Sequence, residues 1–281
     1  MLKKLFKYEW KFFWKVPTVI NSFLIIMTII GVISLASPFW EMDIAGIEIM
    51  LGLAVFFYIL AIAACSIGVT AYIAIRYYKN VYTDEGYLTN TLPVTARQIV
   101  LSKLCTGVIW SFITGIIVIA SILSLVYTAM LSYEDIDIIY ELSRGFSDFL
   151  PSFKDSVGMD FFLFLFLSLI YTVLSTALSI LKIYVAIALG QLFTRHKVAG
   201  AVIWYIGEYV VFEIITSFLY QMPSYSNGLF YTFFSVGMSY NYNFADSALS
   251  VLLISIGLTF AFCAGLYFIT EHMLKNQLNL D

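Results

Sequence analysis

Apolar residues run along this chain in six long blocks, near 18–38, 50–75, 104–131, 161–192, 199–221 and 247–270, broken mainly by hydroxyls and small residues. Roughly 20 apolar residues carry an α-helix across the hydrocarbon of a bilayer, and each block reaches that length. The fourth is long enough to tilt or to project beyond the bilayer. In lipid every backbone N–H and C=O needs an internal partner, so the blocks are expected as helices; the alternation of a barrel strand is not seen. Composition agrees: 61% of residues are hydrophobic and 12% charged, where a soluble domain has about a quarter charged. The predicted fold is all-α, a single polytopic transmembrane domain over residues 1–281 with about six spans and an N-terminal interfacial helix.

That interfacial helix is predicted over residues 2–15. At about 100° per residue, Lys3, Lys4, Lys7, Lys11 and Lys15 share a sector of about 120°. Leu2, Leu5, Phe6, Trp10, Phe12 and Phe13 take the opposite side. The pattern suits a helix in the headgroup plane with its lysines toward anionic lipid, a plain basic anchor being the simpler alternative. Glu9 falls on the apolar face, where contact with another protein is the expectation. Lysines before an apolar run, and Ser34-Leu35-Ala36 after it, resemble a secretory signal. The basic segment is too long and aromatic for one, so the segment is expected to be retained.

Charge sets the expected orientation. Of 15 Lys and Arg, only Arg144 and Lys154 fall in the loops after spans one, three and five. Those loops hold Glu41, Asp43, Glu48, Glu134, Asp135, Asp137, Glu141, Asp148, Asp155, Asp160 and Asp246. The basic side is cytoplasmic by the positive-inside rule, which places a multi-pass protein in the cell membrane with both termini inside. Residues 132–160 read as an acidic outer segment with a short helix. Residues 222–246 are aromatic and nearly uncharged, fitting either a segment that dips back into the membrane or an aromatic belt. Cys65, Cys105 and Cys263 lie apart in or beside apolar runs and read as packing residues. No disulfide or metal is expected from them, and His196 and His272 are not read as ligands.

The segment over 76–103 carries the most information. Asp84 to Thr89 starts a predicted short helix with its acids at the positive end. Pro93 stops it. Thr95-Ala96-Arg97-Gln98 reads as a capping box that opens a helix running into the third span. A stiff helix–turn–helix ending in a transmembrane lever suits a soluble motor that pushes on the membrane.

The residues Asp84-Glu85-Gly86-Tyr87-Leu88, Thr91-Leu92-Pro93-Val94-Thr95 and Ile99-Val100-Leu101-Ser102-Lys103 resemble the signature loop of ABC-2 type exporter permeases. Residues 2–15 resemble that family's elbow helix, and Gly190-Gln191-Leu192-Phe193 through His196-Lys197 its loop after span four. The resemblance implies a permease subunit of an ATP-driven exporter, with a coupling helix in the 79–103 segment that docks on a separate ABC ATPase subunit. The implied docking residues are Asp84, Glu85, Tyr87, Leu88, Thr91, Leu92, Pro93 and Arg97. It implies too a second permease copy or paralogue, and an exported amphipathic peptide, toxin or drug-like molecule. No Gly-x-x-x-x-Gly-Lys-Ser/Thr motif occurs. ATP and Mg are therefore expected in the partner subunit, with no cofactor, catalytic residue or nucleic acid on this chain.

Charges also occur inside the spans. Ser168, Thr172, Ser175, Ser179 and Lys182 form one predicted stripe on span four, and span five carries Glu208 and Glu213. Lys182 and Glu208 are equally far from the turn at Arg195, so they are expected at similar depth. An intramembrane charge costs about 2.5–3.5 kcal/mol on insertion scales and usually pairs or lines a wet path. Two readings follow: a Lys182–Glu208 pair joining spans four and five, or a transport cavity lined by these residues with Ser175 and Ser179. Glu213, without an obvious partner, is the better cavity candidate. Gly257, Ala261 and Gly265, with Ala64 and Gly68, have the spacing of close helix packing or a dimer seam. Competing functions are a stand-alone ion-coupled secondary transporter and a membrane sensor or scaffold. An intramembrane enzyme is disfavoured, since no histidine lies in a span.

Overall fold

The structure, a computed structural model, describes residues 2–37, 47–83, 86, 94–131, 138–193, 195–221 and 244–276. Among these residues the protein is all-α, with helices α1 (Leu2–Phe13), α2 (Lys15–Ala36), α3 (Ile47–Tyr82), α4 (Ala96–Leu131), α5 (Ile138–Val157), α6 (Phe161–Gly190), α7 (Lys197–Gln221) and α8 (Phe244–Asn276). Six of them are long and apolar enough to cross a membrane: Lys15–Ala36, Gly52–Tyr82, Ala96–Leu131, Phe161–Gly190, Lys197–Ile215 and Leu252–Asn276. The chain is a multi-pass membrane protein by that architecture. Its many exposed Ile, Leu, Val and Phe side chains need a lipid solvent. The aromatic 222–243 segment lies outside the described residues.

The chain divides into two compact units. The first contains α1, α2, most of α3, and α4. The α1–α2 break has a local cause. Pro17 has no N–H to give the carbonyl of Phe13, so α1 ends there. Trp14 still donates to Trp10 O at 3.3 Å and Thr18 to Trp14 O at 3.1 Å, which leaves a single-residue turn. Within this unit α2 packs on α3 and α4 through small and polar contacts. Asn21 Nδ2 donates to Thr114 Oγ1 at 3.1 Å, and Thr28 Oγ1 meets the Tyr58 hydroxyl at 3.1 Å. A Cβ on Gly31 would stand 3.0 Å from Leu125, so α2 approaches α4 closely there. A Cβ on Gly68 would stand at an ordinary 3.5 Å from Ile20, and one on Gly257 or Gly265 would meet nothing within 4 Å, so among the described residues the small-residue spacing of spans two and six brings no helices into close approach.

The second unit holds most of α5 with α6, α7 and α8. The helix of the acidic 132–160 segment is longer than the short one predicted, running 20 residues to Val157. Phe149 and Phe153 pack edge-on against Phe161, and Phe153 against Phe164. Gly158 then ends the helix at φ 73°, its N–H returning to Lys154 O at 2.8 Å. Packing of α6 on α8 is marked by the Cys263 thiol directed at Leu174 O, 3.5 Å away. The α6–α7 turn is tight. A Cβ on Gly190 would lie 2.5 Å from Ala201 N, and one on Gly200 2.5 Å from the Phe193 ring. At Gly190 the obstacle is backbone, so that position needs glycine for the close approach, while at Gly200 the nearest obstacle is a side chain.

Candidate functional site

The first candidate region lies where α1 meets the beginning of α4. Thr95 stands directly before α4, its carbonyl accepting from Gln98 N at 2.9 Å and Ile99 N at 3.2 Å. From there the helix is continuous to Leu131, as predicted for a helix that runs straight into the third span. One face of α4 is buried and unexpectedly polar, carrying Lys103, Thr106, Trp110, Thr114, Ser121 and Thr128. Their spacing of three, four or seven puts them in one line. Thr106 and Thr114 each donate to the carbonyl one turn back, which is how a hydroxyl is satisfied in an apolar setting.

Glu9 comes to this face. Its Oε1 lies 2.6 Å from Lys103 Nζ, with the two side chains 12% and 4% exposed. The partner expected of Glu9 from another protein is supplied instead by its own chain. Beside the pair, Trp10 stacks on Trp110 with ring centroids 5.4 Å apart, and Phe13 packs on Tyr72 at 4.9 Å. The predicted apolar side of α1 is thus divided. Leu5, Phe6, Trp10 and Phe13 turn inward, while Leu2 and Phe12 stay exposed. All five lysines of the opposite face are exposed. The α1 clamp escaped sequence reasoning, although a lone acid on an apolar face and a lysine beyond the helix cap were both visible.

Of the predicted docking residues, Arg97 is described and exposed on the first turn of α4. Asp84, Glu85, Tyr87, Leu88, Thr91, Leu92 and Pro93 lie outside the described residues. Between them Gly86 is described, its N–H reaching Thr83 O at 2.6 Å. The helix of span two does not end near residue 75 but continues to Tyr82, carrying Arg76 and Lys79 on its last turns.

The second region is intramembrane, between α6 and α7. Lys182 Nζ sits 3.7 Å from the centroid of the Phe212 ring, a cation–π contact. Glu208 and Glu213 are both near enough to interact with its charge. The two carboxyl oxygens of Glu208 are buried and have no hydrogen-bond partner among the described residues. Lys182 therefore turns its ammonium to the aromatic ring, rather than forming the contact pair with Glu208 that equal depth suggests. Glu213 is exposed, yet it is not the isolated acid expected from sequence. The hydroxyls of the polar stripe are satisfied inside α6: Ser175 donates to Thr172 O and Ser179 to Ser175 O, both at 3.0 Å. They make no demand for a partner, while Glu208 does.

The three cysteines are free, and no group of His, Cys, Asp and Glu suited to a metal ion occurs among the described residues. Compared with protein-family models, curated proteins and solved structures, the chain matches none.

Proposed function

We propose that this chain is the permease subunit of an ATP-driven exporter. In this reading a separate ATPase subunit docks on the cytoplasmic segment between α3 and α4, and a second permease copy or paralogue completes the path. The observation that carries the proposal is α4 itself. It is one continuous helix of 36 residues, starting directly after the segment that resembles a coupling helix. Its first turns are fastened to α1 by the buried Glu9–Lys103 pair, so a push at its N-terminal end is passed on rather than absorbed by fraying. The exported molecule is an amphipathic peptide, toxin or drug-like compound. An acidic outer segment and membrane carboxyls favour a cationic one. The orientation that goes with this reading has both termini in the cytoplasm of the cell, as the distribution of Lys and Arg supports.

The test is reconstitution. The purified chain is expected to hydrolyse no ATP and move no substrate until its ATPase partner is added. Turnover by the chain alone would refute the subunit assignment. A second reading, ion-coupled transport without ATP, draws support from the unpartnered Glu208 carboxyl. Transport by the chain alone, driven by an ion gradient and abolished by Glu208→Gln, would favour that reading instead.

A further inference from the structure

Among the described residues the lysine face of α1 has no ion-pair partner. Lys3, Lys4, Lys7, Lys11 and Lys15 are exposed, and among the described residues none of them is in an ion pair. Lys3, Lys7 and Lys11 follow one another at one-turn spacing on α1, where like charges repel, and Lys15 opens α2 just beyond the break. A helix of 12 residues is marginal by itself in water. Two surfaces are thus available to hold α1: its inward face on α4, and whatever neutralises its lysines.

Position identifies the second. Lys15 opens the first span, and Lys3 lies about 18 Å along a helix from it at 1.5 Å per residue. The lysines are tied by the chain to the membrane surface. Leu2, Tyr8, Phe12 and Trp14 are exposed beside them, an apolar and aromatic margin of the kind that settles among lipid headgroups. A soluble polyanion would leave that margin in water; a lipid surface covers both.

We propose that α1 is a sensor of anionic lipid whose occupied state is transmitted to the first turns of α4. Acidic headgroups on the lysine face relieve the repulsion and hold α1 helical. Glu9 and Trp10, projecting from its other face, then hold Lys103 and Trp110 in place. Lipid charge thereby sets the order of Ala96–Lys103, the stretch that immediately follows the proposed coupling segment. The inference uses no property of a motor or a substrate, so it stands or falls apart from the exporter reading.

Amide hydrogen exchange of the full chain in nanodiscs tests it, comparing phosphatidylcholine alone with a mixture containing phosphatidylglycerol. The anionic lipid is expected to slow exchange severalfold over both Leu2–Phe13 and Ala96–Lys103, and added salt to reverse the effect by screening. Changing all five lysines to Gln is expected to abolish the response in both segments, each lysine contributing about fivefold to lipid preference. Changing all five to Arg keeps it, which separates charge from misfolding. Glu9→Gln is expected to keep the response in α1 and lose it in Ala96–Lys103. An unchanged pattern in the wild-type chain on adding phosphatidylglycerol, or an intact response in the five-Gln variant, overturns the proposal. So does transmission that survives Glu9→Gln.

Discussion

Glu9 and Lys103, 94 residues apart, close an ion pair of 2.6 Å that fastens the N-terminal helix to the start of the third span. Both side chains are largely removed from solvent, so neither charge is well hydrated if the other is lost. Breaking a buried pair from one side costs about 3–5 kcal/mol, whereas removing both partners is far milder. Glu9→Gln and Lys103→Met are each expected to lower the unfolding midpoint in nanodiscs. The double variant should recover much of the loss. Additive effects would show that the two side chains do not depend on each other.

The α6–α7 turn gives an asymmetric expectation. A methyl at Gly190 meets the backbone of Ala201 at 2.5 Å, and one at Gly200 meets the ring of Phe193 at the same distance. Backbone cannot yield without moving a helix, whereas Phe193 is 42% exposed and free to swing. Gly190→Ala is therefore expected to cost about 1–3 kcal/mol, in the range of overpacking, and Gly200→Ala distinctly less. Thermal unfolding of the two variants, with Phe193→Leu added to Gly200→Ala, measures this. Equal losses, unaffected by Phe193→Leu, would contradict the close approach.

Inside the membrane the expectation concerns which partner Lys182 uses. With its ammonium over Phe212, Lys182→Met and Phe212→Leu should be non-additive, with a coupling of about 0.5–2 kcal/mol. Glu208→Gln relieves a buried, unpartnered carboxyl and is expected to be tolerated better than Lys182→Met. In a Lys182→Met background it should partly restore stability, because it removes the acid whose counter-charge was lost. A double-mutant cycle on each pair settles the matter. Additivity between Lys182 and Phe212 would discard the cation–π contact.

The spans were legible because hydrocarbon thickness dictates their length: span four, expected over 161–192, is helix Phe161–Gly190. Where the bilayer stops dictating, the reading loosened. Span two runs on to Tyr82 because Arg76 and Lys79 interrupt hydropathy without interrupting a helix. The helix Ile138–Val157 is longer than expected because its acids mask the repeat of Phe146, Phe149 and Phe153. At Lys182 the depth of the charge followed from counting residues, but its contact with Phe212 depends on how two helices rotate about their axes. For Glu9 the sequence showed an acid out of place. Its partner, across two intervening helices, is set by tertiary packing that no local period encodes.

The central claim is that the segment before α4 receives an ATPase. Its direct test is charge reversal at Asp84 and Glu85, with both changed to Lys in a tagged chain expressed in its native membrane. Insertion should persist, since the basic residues already on that side are only reinforced. Wild-type chain solubilised from that membrane is expected to bring its ATPase subunit, and with it ATP hydrolysis, through purification, and the pair to couple hydrolysis to substrate uptake by inverted vesicles. The doubly reversed chain, recovered at equal level, is expected to lose the hydrolysis or to retain it without uptake. Equal hydrolysis and equal uptake in the two preparations would contradict the account, leaving the segment between α3 and α4 a simple connector.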